Sequence, residues 1–429
     1  MAANETEFLR RLFDTALAAS QPEVCLPPAL PEPPKGRTIV VGGGKASAAM
    51  AAALEAHWPG PADRLSGLVV TRYGFGRPTT RIEVVEAAHP VPDAAGLEAA
   101  GRILAAVSGL DEDDLVIALV SGGGSALLTL PAPGITLADK QVVTDALLRS
   151  GADIGEINTV RKQLSAIKGG RLAEAAWPAH VTTLAISDVV GDDPAVIASG
   201  PTVHDATTPA DAAAVLAKYR IAPPRSVRDH LAAAREAPRG AGAPKSGVPG
   251  PGGVDYRIIA SGPAALDAAV AEAKRRGEIA TYSFEKAETG EAREVAARHL
   301  ATMARAASDV PGDGVLNLTG GELTVTLAGR GRGGPNTEYL LALAIGAEGS
   351  KYPVTALACD TDGIDGSEDN AGAIVTPDTM ARARSMGLDA QRFLDDNDAY
   401  SFFEALGDLV VTGPTGTNVN DFRALLLWG

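Results

Sequence analysis

Two short apolar runs, residues 38–41 and 115–120, lead into three consecutive glycines apiece: Gly42-Gly43-Gly44, and Gly122-Gly123-Gly124 after Ser121. An Ala-rich, helix-forming stretch at 46–56 follows the first triplet. Strand, glycine turn and helix make the unit of a parallel sheet, because parallel strands need a crossover connection. Further strand-like runs at 68–71, 81–86 and 181–186 alternate with a helical pattern at 97–107. The alternation predicts an α/β fold with a mostly parallel sheet covered on both faces.

The second half reads as mixed. Residues 256–260 and 264–276 repeat strand and helix, while 316–319 and 322–327, joined through Gly320-Gly321, read as a β-hairpin. Between 237 and 253 the chain is almost wholly Pro, Gly, Ala and Ser, the composition of a linker or exposed loop. Expected domains are therefore 1–236 and 254–429, separated by 237–253. At the start, Phe8, Leu9, Leu12, Phe13, Ala16 and Leu17 recur at helical spacing.

Composition excludes several functions. A net charge of -15 over 429 residues leaves no basic footprint for nucleic acid, and 4% aromatics offer no base-stacking platform. No apolar run approaches a membrane span, and no signal peptide is evident, so a cytoplasmic enzyme is expected. Cys25 and Cys359 make neither a disulfide framework nor, with six scattered histidines, a zinc site. The 48 glycines point to tight turns or backbone-lined sites. The Leu-rich C-terminal half leaves oligomeric state open, a homodimer included.

Four stretches have the residue types that phosphate chemistry needs. Gly42, Gly43 and Gly44 precede Lys45, so backbone amides, a helix N-terminus and a lysine converge, which suits an anion. This is not a Walker A loop, since Ile39 and Ala46 stand where Gly and Ser/Thr belong; Ser47 breaks the dinucleotide fingerprint. Ser121, Gly122, Gly123, Gly124 and Ser125 would lie at the same sheet edge. In the third stretch, Asn158 or Thr159 is expected to cap a helix closed by Gly169-Gly170, with Arg161, Ser165 and Lys168 on one face. The fourth is acidic: Asp188, Asp192 and Asp193 in one loop, and Asp360, Asp362 and Asp365 in another, where Ile364 breaks the EF-hand pattern. Such loops suit Mg²⁺, or are Asx-turns. His89, followed by Pro90, reads as a turn residue.

In order along the chain, the motifs GGGKAS (42–47), HPVPD (89–93), SGGGSALL (121–128), NTVRKQLSAIKGGRLA (158–173), SDVVGDDPAVIASGPT (187–202), TGGELTVTLAGRGRGG (319–334), DTDGIDGSEDNAGAIV (360–375) and TGPTGTNVNDFR (412–423) resemble the glycerate 2-kinases. The resemblance implies a large N-terminal Rossmann-like α/β/α domain, a smaller C-terminal mixed α/β domain, and an active site in the cleft between them. It implies transfer of the ATP γ-phosphoryl group to the C2 hydroxyl of D-glycerate, with Mg²⁺. The family's catalytic lysine falls on Lys45. Its arginine, in a Gly-Gly-Arg-Asn-Gln-Glu motif, falls on Pro335, leaving Arg330 or Arg332 as substitutes by closeness in sequence. Beside Lys45, Arg161 would neutralise charge and Asp192 would position metal or take the hydroxyl proton. The loop residues Gly42–Gly44 and Ser121–Ser125 would bind substrate or nucleotide, together with Glu322, Arg332, Asn336 and Asn418; Asp188 and Asp360 would bind metal. The alternative, suggested by an older label on such sequences, is an NAD(P)H-dependent hydroxypyruvate reductase. Neither glycine loop completes the fingerprint that cofactor would require.

Overall fold

The computed structural model of the chain describes residues 2–236, 253–276, 279–282, 287–309 and 314–428. The expected linker lies outside the described residues apart from Gly253. Contacts gather the chain into two units that interleave in sequence: Cys25–Ile186 with Asp192–Ile259, and Met1–Val24 with Ser187–Gly191 and Ala260–Gly429.

The unit from Cys25 is built on a six-stranded sheet. Its strands are β1 (Thr38–Gly43), β2 (Leu65–Arg72), β3 (Ile82–Ala87), β4 (Leu115–Val120), β5 (His180–Ser187) and β6 (Val254–Ser261), in the order β3-β2-β1-β4-β5-β6. The four pairings from β3 to β5 are parallel. Every residue of β1 and β4 is buried, as central strands covered on both faces require. Their Val, Ile and Leu side chains stabilise the fold by about 1.5–3 kcal/mol each on full burial. On one face, Val41, Val70 and Val116 pack with Ala99, Ile103 and Val107 of the helix Ala94–Val107. Asp93 caps that helix by accepting from the Gly96 amide at 3.1 Å. A second apolar cluster joins the helices Leu137–Arg149, Ile154–Gln163, Pro209–Lys218 and Arg225–Glu236.

The order of the strands locates the ligand-binding edge. From β1 the chain moves outward to β2 and β3, then returns to lay β4 on the other side of β1. The crevice beyond the carboxyl ends of β1 and β4 is the switch point, where open α/β sheets take their ligands.

The other unit contains β7 (Ile279–Tyr282), β8 (Glu288–Glu291), β9 (Gly314–Thr319), β10 (Gly321–Thr324), β11 (Val354–Asp360), β12 (Gly372–Val375), β13 (Leu409–Val410) and β14 (Asp421–Trp428). Six of these form a mixed sheet, β13-β12-β11-β14-β9-β7, antiparallel except for β7 with β9. The expected hairpin across Gly320-Gly321 does not form. Instead β9 pairs with β14 and β7, while β10 pairs in parallel with β8 in a separate small sheet. The approach of β8 decides it: Gly321 has φ +88°, and a Cβ there would lie 2.2 Å from the Glu288 carbonyl oxygen, so a glycine is what lets β10 lie against β8. The Gly-Gly corner thus passes the chain between sheets rather than reversing it. The helix Ala2–Ala19 belongs to this unit, with Leu9, Leu12 and Phe13 fully buried and Phe13 5.7 Å from Phe422.

Candidate active site

At the switch point the two glycine loops are hydrogen-bonded to each other. The Lys45 amide donates to the Gly122 carbonyl at 2.8 Å, and the Ala46 amide donates to Ser121 Oγ at 3.0 Å. The Gly44 amide donates to the Val70 carbonyl at 3.0 Å. This corrects the expected amide cradle: Gly42 and Gly43 lie in the β1 ladder, and the next three amides are taken by protein acceptors. Ser121, fully buried, fastens the turn. What the loops present is the Lys45 side chain. Its stem reaches Gly123, where an added Cβ would lie 3.3 Å from Lys45 Cγ and 3.0 Å from His89 Nε2. His89, read as a turn residue, is therefore placed beside the lysine. Only the pairing of its loop with Gly123 could have revealed this, and that pairing is tertiary.

A pocket of about 360 Å³ opens on this edge, and His89, Gly123, Ser125 and Arg161 are among the residues that line it. Ser125 Oγ shares a 2.7 Å hydrogen bond with Ser199 Oγ, which also donates to Asn158 Oδ1 at 3.3 Å. Ser199 and Ala198 have φ of 60° and 51°, and Asp192 has φ 55°, so the 192–200 loop holds three non-glycine residues in the left-handed region. Such strain persists only where surroundings impose it, and it concentrates at functional sites. One carboxylate oxygen of Asp192, Oδ1, is buried with no hydrogen-bond partner.

The third stretch folds differently from the expected single helix. Asp153, not Asn158 or Thr159, caps it by accepting from the Glu156 amide at 2.9 Å, and the helix Ile154–Gln163 ends before Ser165. Ser165 instead bridges to Pro131, and its hydroxyl accepts from the Ile167 and Lys168 amides. Arg161 and Lys168 thus do not share a helix face, although tertiary folding still brings them close. Burial lowers the pKa of Arg161. Lys168 is shifted well down, first by burial and then by the charges of Lys140 and Arg161.

In the other unit the predicted residues are mostly occupied by structural partners. Asn336 and Thr337 begin the helix Pro335–Gly346, and the buried Asp365 caps it. Asp365 accepts from the Asn336 and Thr337 amides at 2.9 and 2.8 Å and from Thr337 Oγ1 at 2.8 Å. Burial pushes the Asp365 carboxyl up to about 6, against the opposing effect of those donors. Asn336 Nδ2 also donates to Asp421 Oδ1 at 2.7 Å. Asp365→Asn replaces one of two acceptor oxygens with an amide NH2 group facing donors. It is expected to lower stability by about 2–3 kcal/mol, read as a shift in urea midpoint at unchanged slope.

Arg332 is exposed, stacks 4.6 Å from the Tyr400 ring centre, and pairs with Glu368 and Glu404 at 3.4 and 3.3 Å. It is a surface ion-pair residue, and its expected substitution for the family arginine finds no support in these contacts. Glu322 is exposed on β10. Asn418 Nδ2 donates to Asp188 Oδ2 at 3.2 Å, and Asn420 Nδ2 to the Asp188 carbonyl at 2.7 Å. Asp360 Oδ1 accepts from the Asp362 amide at 2.9 Å, an Asx-type turn.

Residues 8–232 match the family model described as a domain of unknown function, DUF4147, and residues 315–421 match the MOFRL family. The chain is 41% identical over 414 residues to the D-glycerate 2-kinase of Thermotoga maritima, covering 95% of this chain and 94% of that protein. It is 52% identical over 427 residues to an Agrobacterium vitis protein provisionally named hydroxypyruvate reductase, covering 98% and 94%. The crystal structure of glycerate kinase from Thermotoga maritima superposes with a TM-score of 0.84 at 37% identity, covering 99% of this chain and all of that one. No helix among the described residues is long and apolar enough to cross a membrane. With both domains matched and near-complete coverage of a kinase relative, this chain belongs to the glycerate 2-kinase family.

Proposed function

We propose that the chain transfers the γ-phosphoryl group of ATP to the C2 hydroxyl of D-glycerate, giving 2-phospho-D-glycerate and ADP. The hydroxyl oxygen bonds to the γ-phosphorus, the bond to the ADP oxygen breaks, and the hydroxyl proton passes to a base. Phosphoryl transfer is mostly positioning and charge neutralisation, so it needs cations more than a strong nucleophile. The observation that carries this reading is the meeting of Lys45, His89 and Gly123 at the switch point, beside a pocket lined by Arg161. Lys45 neutralises charge on the transferring group, and Asp192, with its unpartnered Oδ1, takes the proton.

Among the described residues no group of three or more His, Cys, Asp or Glu gathers closely enough to hold a metal ion. Mg²⁺ can be held chiefly by nucleotide phosphates with one or two carboxylates, so it needs no such group. Asp188 and Asp360 are the proposed carboxylates; bound Mg²⁺ would neutralise charge on the phosphates. A cytoplasmic setting accords with ATP use and with two free cysteines, of which Cys359 is buried.

Hydroxypyruvate reduction is the second reading, because a relative at 52% identity has that name. The amides of Gly44, Lys45 and Ala46 weigh against it, since they are spent within the protein and unavailable to a dinucleotide pyrophosphate. Incubation with D-glycerate, ATP and Mg²⁺ followed by ³¹P NMR separates the readings. A 2-phosphoglycerate resonance is expected. A 3-phosphoglycerate resonance would overturn the regiochemistry, and NAD(P)H oxidation by hydroxypyruvate without phosphoryl transfer would replace the kinase reading.

A further inference from the structure

Lys140 and Thr129 line the pocket beside Arg161, and both are buried, at 6% and 1% exposure. Among the described residues, neither Lys140 Nζ nor Thr129 Oγ1 has a hydrogen-bond partner. Lys168, fully buried, has one long hydrogen bond, 3.4 Å from Nζ to the Ala198 carbonyl. Among the described residues no carboxylate pairs with Lys140, Arg161 or Lys168; burial and the charges of the other cations weigh on the two lysines, and burial weighs on Arg161. Nearby Lys162 shows the ordinary solution, an ion pair with Asp205 at 3.2 Å. Asp145, the carboxylate among the pocket residues, is exposed. Burying cations together without a counter-charge is unfavourable, and here it makes the two lysines give up their protons more readily; a bound anion would supply the missing counter-charge and hold them charged.

We propose that Thr129, Lys140 and Arg161 form a phosphate subsite that holds the phosphate chain of the nucleotide, with the buried Lys168 adding positive charge nearby. The proposal rests on the kinase reading. Charge decides the ligand class: a carboxylate brings one negative charge to three cations, whereas a phosphate chain brings several. An arginine fork with lysine point charges and a hydroxyl donor is a donor set suited to phosphate oxygens. The location agrees, because Gly123 and His89 form part of the pocket wall and also meet the Lys45 stem. Phosphates held here would lie beside the lysine proposed to act on the transferring group.

The test is calorimetric titration of the full chain with pyrophosphate and, separately, D-glycerate. Lys140→Met is expected to weaken pyrophosphate binding at least tenfold and to leave D-glycerate affinity within about twofold. Lys140→Arg should restore part of the pyrophosphate affinity. Pyrophosphate should raise the Tm of the wild type and not that of Lys140→Met, whose own Tm should not fall, because an unpaired buried charge has gone. Should Lys140→Met fail to fold, the isosteric Thr129→Val carries the same titration, with a severalfold loss expected. Unchanged pyrophosphate binding in a folded variant overturns the proposal. Loss of D-glycerate binding instead would reassign the site to the substrate carboxylate. Because binding needs no turnover, intact pyrophosphate binding without phosphoryl transfer would sink the kinase reading alone.

Discussion

Lys45→Met is expected to lower kcat for phosphoglycerate formation by about 10²–10³-fold, the usual scale for losing one preorganised group that stabilises transition-state charge. The protein should remain folded. The Lys45 amide donates to Gly122 and its carbonyl accepts from Thr71 Oγ1 at 3.2 Å, so the backbone clasp is independent of the side chain. Methionine keeps the stem that packs at Gly123 and removes the ammonium group. Steady-state kinetics with a circular-dichroism melt would check this. A folded, fully active variant would remove Lys45 from the mechanism and leave the pocket cations to account for charge neutralisation.

Gly42→Ala is expected to cost at least about 4 kcal/mol, enough to abolish folding in a protein of ordinary marginal stability. Gly42 has φ +150°, and an added Cβ would fall 1.9 Å from the Leu119 carbonyl oxygen and 2.7 Å from its carbon. That backbone belongs to β4, paired directly with β1, so relief requires parting the two central strands. Gly74→Ala is the control: φ is +82°, but nothing lies within 4 Å of the added Cβ. Its cost should be only about 1–2 kcal/mol of left-handed strain. Urea unfolding of the two variants compares them. Equal losses would mean that the β1 turn yields easily and that its tight packing does not hold the two loops together.

Much of the framework was legible because it is written in local pattern. The fully buried β4 reads as an unbroken apolar run at 115–120, and the glycines after β1 and β4 mark where the chain must turn beyond the sheet edge. The ordered motifs then tied these loops to glycerate 2-kinases, and Lys45 to its place in them.

What was not legible depends on approach between distant segments. Gly320-Gly321 has the local chemistry of a hairpin, yet the partner of β10 is β8, thirty-three positions earlier in register from Gly321 to Glu288. The spacing of Arg161 and Lys168 fits a helix face, but the chain leaves the helix at Gln163, and folding only brings the two cations within electrostatic reach of each other. Arg332, near the missing family arginine in sequence, is drawn into surface pairs with Glu368 and Glu404. Lys140 gave no signal at all, since a lysine in an amphipathic helix ordinarily reads as solvated, and only packing shows its amine buried without a partner. By itself, then, the sequence determined the α/β class, the two glycine loops and the lysine after the first, because hydrophobic period and turn chemistry are properties of neighbouring residues. Tertiary structure decided which donors remain free for a ligand and which cations share a pocket, because burial and hydrogen-bond satisfaction depend on what the rest of the chain brings into contact.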